Sequence, residues 1–338
     1  MNEKKVRIGQ VGIANHGRTI VNALRDSGNL QLVSCFDIDS DATKRVAAEF
    51  GARAASGYDD LVSDSTIDAV ALVTPNHLHA EEVRKAVEAG KHIFVEKPIG
   101  NTVDEARVMV KLARDAKLIL MVGHNTRRRL VFRRAKKLLE EGRIGKIVAV
   151  EANLSRPAGL QPGLPAWKAD PKTCALLPMM QLGIHLVDAV EYLLGPVEKV
   201  SCFAANIAMP NRALDSTAAI LQLRSGVPVS LSSYYVSADA YYLRIYGTNG
   251  TLHCFPLRLR LDVLEKGEPK ESIEEDYSSE GAGSYILQMR EFGECIVQGK
   301  RPETGGEEGL RALAVISAME RSVEYGSVVS MIEILGKE

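Results

Sequence analysis

Val6-Arg7-Ile8-Gly9-Gln10-Val11-Gly12-Ile13-Ala14-Asn15-His16-Gly17 is the stretch that decides the fold. A short apolar run reads as a buried strand. It ends in a turn bounded by Gly12 and Gly17 that opens a helix. In this context a glycine-rich turn cradles a pyrophosphate, because the backbone comes close to the phosphates and free N–H groups at the helix N-terminus face the negative charge. Gly12, Ala14, Asn15, His16 and Gly17 are therefore candidate cofactor contacts. Ala14 stands where the middle glycine is usual, and its methyl crowds the approach, so on pattern alone an ordinary strand-to-helix turn stays open.

The second strand, Leu30 to Phe36, ends in Asp37 at the spacing where an acidic side chain accepts from the adenosine ribose hydroxyls. Ile38 and Asp39 follow, with no Arg or Lys to hold a 2'-phosphate, which favours NAD and leaves NADP as the lesser option. The other reading of Asp37 is an N-cap for a helix over Ser40 to Phe50.

Outward from this start, apolar runs at Arg7 to Val11, Leu30 to Phe36, Ala69 to Thr74, His92 to Val95 and Leu118 to Val122 alternate with amphipathic stretches such as Ala80 to Ala89 and Val103 to Ala116. That rhythm predicts βαβ units around a parallel sheet. After about residue 125 the rhythm changes. A helix (Val131 to Glu141), a strand (Lys146 to Leu154), a Pro/Gly-rich loop (Pro157 to Pro171) and a helix (Met179 to Leu194) precede β-rich runs from Val197 to Leu264, with turn signals that predict antiparallel pairing. The acidic stretch Glu265 to Gly283 reads as a surface loop, and helices over Tyr285 to Gln298 and Gly306 to Tyr325 follow.

At 338 residues, about two domains are expected. A formal charge of -1 supplies no field for nucleic acid or an anionic membrane. The run Arg127-Arg128-Arg129 with Arg133, Arg134, Lys136 and Lys137 reads as a solvated helix face, since Val131, Ala135, Leu138 and Leu139 form an apolar stripe beside it. Five cysteines without CxxC spacing suit a reducing compartment. With no apolar leader after Met1 and no membrane-length apolar stretch, the expected location is the cytoplasm. His77 and His79 lack companions at metal-ligand spacing, so no metal is expected.

Glu96-Lys97-Pro98 follows the strand His92 to Val95, which delivers a lysine to the carboxyl edge of the sheet, where open α/β folds bind ligands. A lysine beside a cationic nicotinamide and partly out of water is suited to acid or base work. Taken alone, the tripeptide is only a charged strand end. Here it is embedded among Val73-Thr74-Pro75-Asn76-His77-Leu78-His79, Ala89-Gly90-Lys91-His92-Ile93-Phe94-Val95, Gly183-Ile184-His185-Leu186-Val187-Asp188, Gly145-Lys146-Ile147, Gly247-Thr248-Asn249-Gly250-Thr251 and Glu308-Gly309-Leu310-Arg311.

This set resembles the glucose-fructose oxidoreductase, myo-inositol dehydrogenase and rhizopine-catabolism (MocA) family over nearly the whole chain. The resemblance implies an α/β protein, with an N-terminal Rossmann dinucleotide-binding domain (1–125) and a C-terminal α/β domain (126–338) on an open, mostly antiparallel sheet that often mediates homo-oligomerisation, as dimer or tetramer. It implies NAD(P)-dependent hydride transfer at a hydroxyl-bearing carbon of a sugar, polyol or inositol-like molecule. Thr74, Asn76 and His79 match positions lining the nicotinamide side. Glu96 and Lys97 match the signature touching cofactor and substrate, commonly with a cis bond before the proline. Lys97 and His185 are the catalytic candidates.

Gln181 and His185 are four apart in a predicted helix and so share a face. Gln181 stands where dehydrogenases of the family usually carry aspartate; it can hydrogen-bond a sugar hydroxyl but cannot take a proton. Cys174-Ala175-Leu176-Leu177-Pro178 replaces residues that are often glycines in relatives. Trp167-Lys168 lies in the loop that often approaches the active site, where Trp167 either stacks on a sugar ring or packs the domain interface. Two other readings remain: a redox-assisted, NAD-dependent glycoside hydrolase or eliminase, and a non-catalytic dinucleotide-binding regulator.

Overall fold

The computed structural model describes residues 5–336. Its elements are β1 (Val6–Val11), α1 (His16–Asp26), β2 (Leu30–Phe36), α2 (Ser40–Phe50), β3 (Arg53–Ala54), α3 (Tyr58–Val62), β4 (Ala69–Leu72), α4 (His79–Glu88), β5 (His92–Val95), α5 (Val103–Asp115) and β6 (Leu120–Val122). Then come α6 (Leu130–Glu140), β7 (Ile147–Ser155), α7 (Ala166–Ala169), α8 (Ile184–Leu194), β8 (Val197–Ala205), β9 (Ser216–Leu223), β10 (Pro228–Tyr234), β11 (Ala240–Gly247), β12 (Gly250–Cys254), β13 (Arg258–Glu265) and β14 (Glu268–Asp276). The chain closes with α9 (Gly283–Gln298), α10 (Gly306–Tyr325), β15 (Val329–Ser330) and α11 (Met331–Leu335).

The first compact unit contains the residues up to Asn125 together with Ala282–Arg311. Its six strands are parallel, in the order β3-β2-β1-β4-β5-β6. The strand order reverses between β1 and β4, which opens a crevice at their carboxyl ends. Local signals delimit the helices as expected. Asp39 caps α2 by accepting from Asp41 and Ala42, Gly51 ends it in the left-handed region, and Thr102 with Glu105 forms a capping box on α5. Because Asp39 does the capping, Asp37 is left for another role.

A single cut after residue 125 does not describe the packing. Met289 and Phe292 of α9 are buried in one apolar cluster with Ile8, Leu24 and Phe94. The Phe94 and Phe292 ring centroids are 6.0 Å apart. Backbone bonds seal the join, since Val122 N–H donates to Thr304 O at 2.7 Å and the Thr304 hydroxyl donates back to Val122 O at 2.9 Å.

The second unit contains Thr126–Gly281 and the residues from Ala312 onward. Its nine strands run β14-β13-β12-β11-β7-β10-β9-β8-β15, antiparallel throughout except for the parallel pair of β7 and β10. Alternation sets the faces: Leu243, Ile245, Leu252, Leu259 and Leu261 are buried, whereas Tyr242, Arg244 and Tyr246 point the other way and gather around Glu151. The stretch read as a surface loop holds β14, an edge strand. Its charges cost little there because that edge faces solvent, and they discourage pairing with another chain.

The basic run is also corrected. Arg127 and Arg128 are buried, Arg133 donates to the Tyr192 hydroxyl, and Arg134 pairs with Glu275 at 2.9 Å. Among the described residues no helix is long and apolar enough to cross a membrane.

Phe292→Ala tests the assignment of α9 to the first unit. Removing a ring buried against Phe94 should cost about 3–5 kcal/mol in urea unfolding followed by far-ultraviolet circular dichroism. A loss below about 1 kcal/mol would show that α9 is not part of that core.

Candidate functional site

The turn after β1 is shaped by what a side chain cannot occupy. Gly12 has φ 76°, and a Cβ there would lie 2.3 Å from the Val73 carbonyl oxygen. A buried amide fastens the turn: Gln10 Nε2 donates to both Gly12 O and Gly17 O at 2.9 Å. Asn15 takes φ 47° and ψ -112°, outside the left-handed helical region, and starts α1 with no side-chain cap. Asn15 and His16 are exposed, so the amino end of an eleven-residue helix is open to an anion. The Asp37 carboxylate accepts from Ile13 N–H at 2.8 Å and Ala14 N–H at 3.1 Å, and its other oxygen accepts from Asp39 N–H. A carboxylate has about four acceptor positions, so capacity remains for ribose hydroxyls. Ala14 thus fits the turn by orienting its N–H toward Asp37, and these residues fit a dinucleotide.

The second cluster surrounds a buried carboxylate. Glu96 is 5% exposed; Oε1 lies 3.3 Å from His16 Nε2, and Oε2 accepts from Lys97 N–H at 3.1 Å. Burial alone would raise its pKa, but the bond to His16 and the attraction of His16 and Lys97 hold it below the usual carboxylate value. Gly123 makes the room, since a Cβ there would meet this carboxylate at 2.7 Å. His16 also packs edge-on against Tyr285, with centroids 5.7 Å apart. Lys97 is only half-buried, and the Lys97–Pro98 bond is cis, as the resemblance implies.

Thr74, Asn76 and His79 are placed behind this cluster. His79 is fully buried, with Nδ1 3.0 Å from Pro98 O and Nε2 3.0 Å from Thr74 O, and burial lowers its pKa. Its ring ties the cis-proline turn to the end of β4 and presents no open edge. Asn76 donates to Asn101 at 2.9 Å. The Thr74 hydroxyl donates to Glu82 Oε2 at 2.5 Å.

In the second unit, Pro178 leads into a wide π turn over Met179–Gly183, followed directly by α8. Such turns commonly mark functional positions. Gln181 lies in the wide turn, and its amide is 3.6 Å from the Cys174 thiol. His185 lies in the first turn of α8, with Thr126 Oγ1 3.3 Å from its Nδ1. Three residues on, Asp188 is gripped by Arg127 through Nε at 3.0 Å and Nη2 at 2.5 Å. Lys168 lies 5.3 Å from the centre of the Trp167 ring, and burial lowers its pKa.

Residues 6–124 match the family described as "Oxidoreductase family, NAD-binding Rossmann fold", and residues 132–253 match the "GFO/IDH/MocA C-terminal domain". The chain belongs to the Gfo/Idh/MocA family. It is an NAD-binding oxidoreductase. This Gfo/Idh/MocA chain is 28% identical over 337 residues to inositol 2-dehydrogenase of Rhizobium meliloti (strain 1021), covering 96% of this chain and 99% of that one. It is 25% identical over 330 residues to 1,5-anhydro-D-fructose reductase of Ensifer adhaerens, covering 96% and 98%. A solved structure, a putative NADPH-dependent oxidoreductase from Desulfitobacterium hafniense DCB-2, superposes with a TM-score of 0.92 at 24% identity over 98% of this chain and 99% of that one, a likeness of fold.

Sequence reasoning passed over Gln10, Tyr285, Thr126 and the Arg127–Asp188 pair. Gln10 alone left a signal, as a polar residue interrupting a buried strand.

Glu82 of this Gfo/Idh/MocA chain supplies a pH prediction. Burial pushes its carboxyl up from 4.5 to about 7, against the opposing effects of Thr74 and Lys85. Between those values the folded protein holds a proton that the unfolded chain has released, so stability falls as pH rises through the window. Above it the full cost, about 3 kcal/mol, is present. Glu82→Gln should match the wild type in urea unfolding near pH 4.5 and exceed it by up to that amount at pH 8. Parallel pH curves for the two proteins would refute the placement.

Proposed function

We propose that the chain is a dehydrogenase or reductase that moves a hydride between nicotinamide and a hydroxyl-bearing carbon of a sugar, polyol or inositol-like molecule, with Lys97 and His185 as acid/base groups. The observation that carries this reading is the chain of contacts His16–Glu96–Lys97, which joins the dinucleotide turn to the lysine through one buried carboxylate. The relatives' names support the substrate class, since inositol and 1,5-anhydro-D-fructose are polyhydroxylated rings.

Bound NAD supplies the hydride acceptor, or as NADH the donor. The glycine turn and the amino end of α1 bind its pyrophosphate, and Asp37 accepts from its ribose. Ile38 and Asp39 offer no cation to a 2'-phosphate, so NAD is preferred to NADP. Glu96 orients Lys97 through the backbone N–H, and Lys97 takes the hydroxyl proton in oxidation or returns it in reduction. His185 assists the proton transfer. Gln181 orients a neighbouring hydroxyl, with Lys168 and Trp167 lining the substrate side.

Lys97→Ala should bind NADH with a Kd within about threefold of wild type and lose at least roughly a hundredfold in turnover. The measurement is absorbance of reduced dinucleotide with a panel of inositols and sugars, with NAD and NADP in parallel. Wild-type turnover by this variant would overturn the role of Lys97.

The reading extends to a homo-oligomer. Phe203 on β8 is 79% exposed and Ile220 on β9 is 55% exposed, an apolar surface on strands that pair with each other. Sedimentation should give a dimer or tetramer mass, and Phe203→Asp should shift it toward the monomer. An unchanged mass would remove this face from the assembly.

A further inference from the structure

Thr126 has no role in any motif, yet its hydroxyl meets the ring of His185. The turn that carries it is fixed twice to one helix. Thr126–Arg128 forms a 3-10 turn, and the Arg127 fork closes on Asp188 with both side chains buried. Asp188 follows His185 by three residues in α8, so both lie on the helix face that the turn approaches. Arg127 thereby sets the distance between turn and helix, and Thr126 uses that distance to address Nδ1.

A second hydroxyl stands near Thr126. Tyr241 of β11 has the Arg129 guanidinium carbon 5.6 Å from its ring centre. Its hydroxyl is buried and makes no hydrogen bond among the described residues. Burial keeps the phenol protonated by raising its pKa. Threonine has one hydrogen to donate and an oxygen that also accepts, so its hydroxyl can serve as donor to an imidazole nitrogen.

We propose that Thr126 is a positioning residue that donates its hydroxyl hydrogen to His185 Nδ1, so that neutral His185 carries its proton on Nε2 and meets the substrate oxygen as a hydrogen-bond donor. The inference rests on the role given to His185 above and sharpens it. In oxidation Lys97, as the free amine, would take the hydroxyl proton and bound NAD would supply the acceptor for the C–H hydride, while the Nε2 proton stays on His185. Gln181 is consistent with this division: as an amide it exerts no carboxylate pull on the imidazole proton.

The test compares full-length wild type, Thr126→Val and Thr126→Ser. Long-range nitrogen–proton NMR of histidine-labelled protein reads the His185 tautomer, assigned against His185→Gln. Wild type and Thr126→Ser should show the Nε2–H form, and Thr126→Val a mixture. In turnover, Thr126→Val should lose roughly tenfold in kcat/KM with a displaced pH profile, while Thr126→Ser stays near wild type. An Nδ1–H tautomer in the wild type, or a Thr126→Val protein with unchanged tautomer and pH profile, overturns the proposal. Undiminished turnover by His185→Gln would instead defeat the catalytic reading of His185, and the tautomer measurement stands independently of it.

Discussion

The buried charge of Glu96 is the constraint around which the first unit's site is built. A carboxylate withdrawn from water is costly unless cations and hydrogen-bond donors surround it. Here one oxygen meets His16 and the other the Lys97 N–H, while Gly123 leaves out the side chain that would collide with it. Three separate segments must therefore be in place before the carboxylate can stay ionised. Because two of them are the glycine turn and the lysine, the requirement that keeps Glu96 charged also fixes the nucleotide turn relative to the candidate acid/base group.

Behind that front lies a shell of ties that hold backbone rather than ligand. Gln10 joins the two ends of the glycine turn, and the His79 ring lies between the carbonyls of Pro98 and Thr74, able when neutral to donate to one of them. Glu82, behind Thr74, is the costly member, since its burial favours the protonated form and the Thr74 hydroxyl offsets only part of the penalty. Family motifs place Thr74, Asn76 and His79 together because they lie close in sequence. The structure separates their work, with His79 wholly occupied by carbonyl oxygens.

Legibility followed the range of the interaction. The parallel sheet, the glycine turn and Asp37 were readable because each depends on residues within a few positions: period-two and helical patterning, a turn conformation, and a strand end. The basic run was misread because its partner is remote. Asp188 is 61 positions from Arg127, and no local pattern records that a cation will be neutralised at such a separation. β14 was hidden for a related reason: its alternation is erased by charges that an edge strand tolerates. Residues 282–311 were assigned by sequence order, whereas Phe292 and Thr304 return them to the first unit.

The charge balance of the second unit's candidate residues bears on what they can hold. Asp188 is consumed by Arg127, the position four before His185 is an amide, and that amide faces a thiol. Lys168 is partly withdrawn from water, which weakens its hold on a proton, and its charge rests against the Trp167 ring. Thr126, Gln181 and His185 are hydroxyl, amide and imidazole groups, each able to exchange hydrogen bonds without a net charge to compensate. Arg127 is held in a closed fork with Asp188, so its guanidinium could meet an anion only by giving up that buried pair.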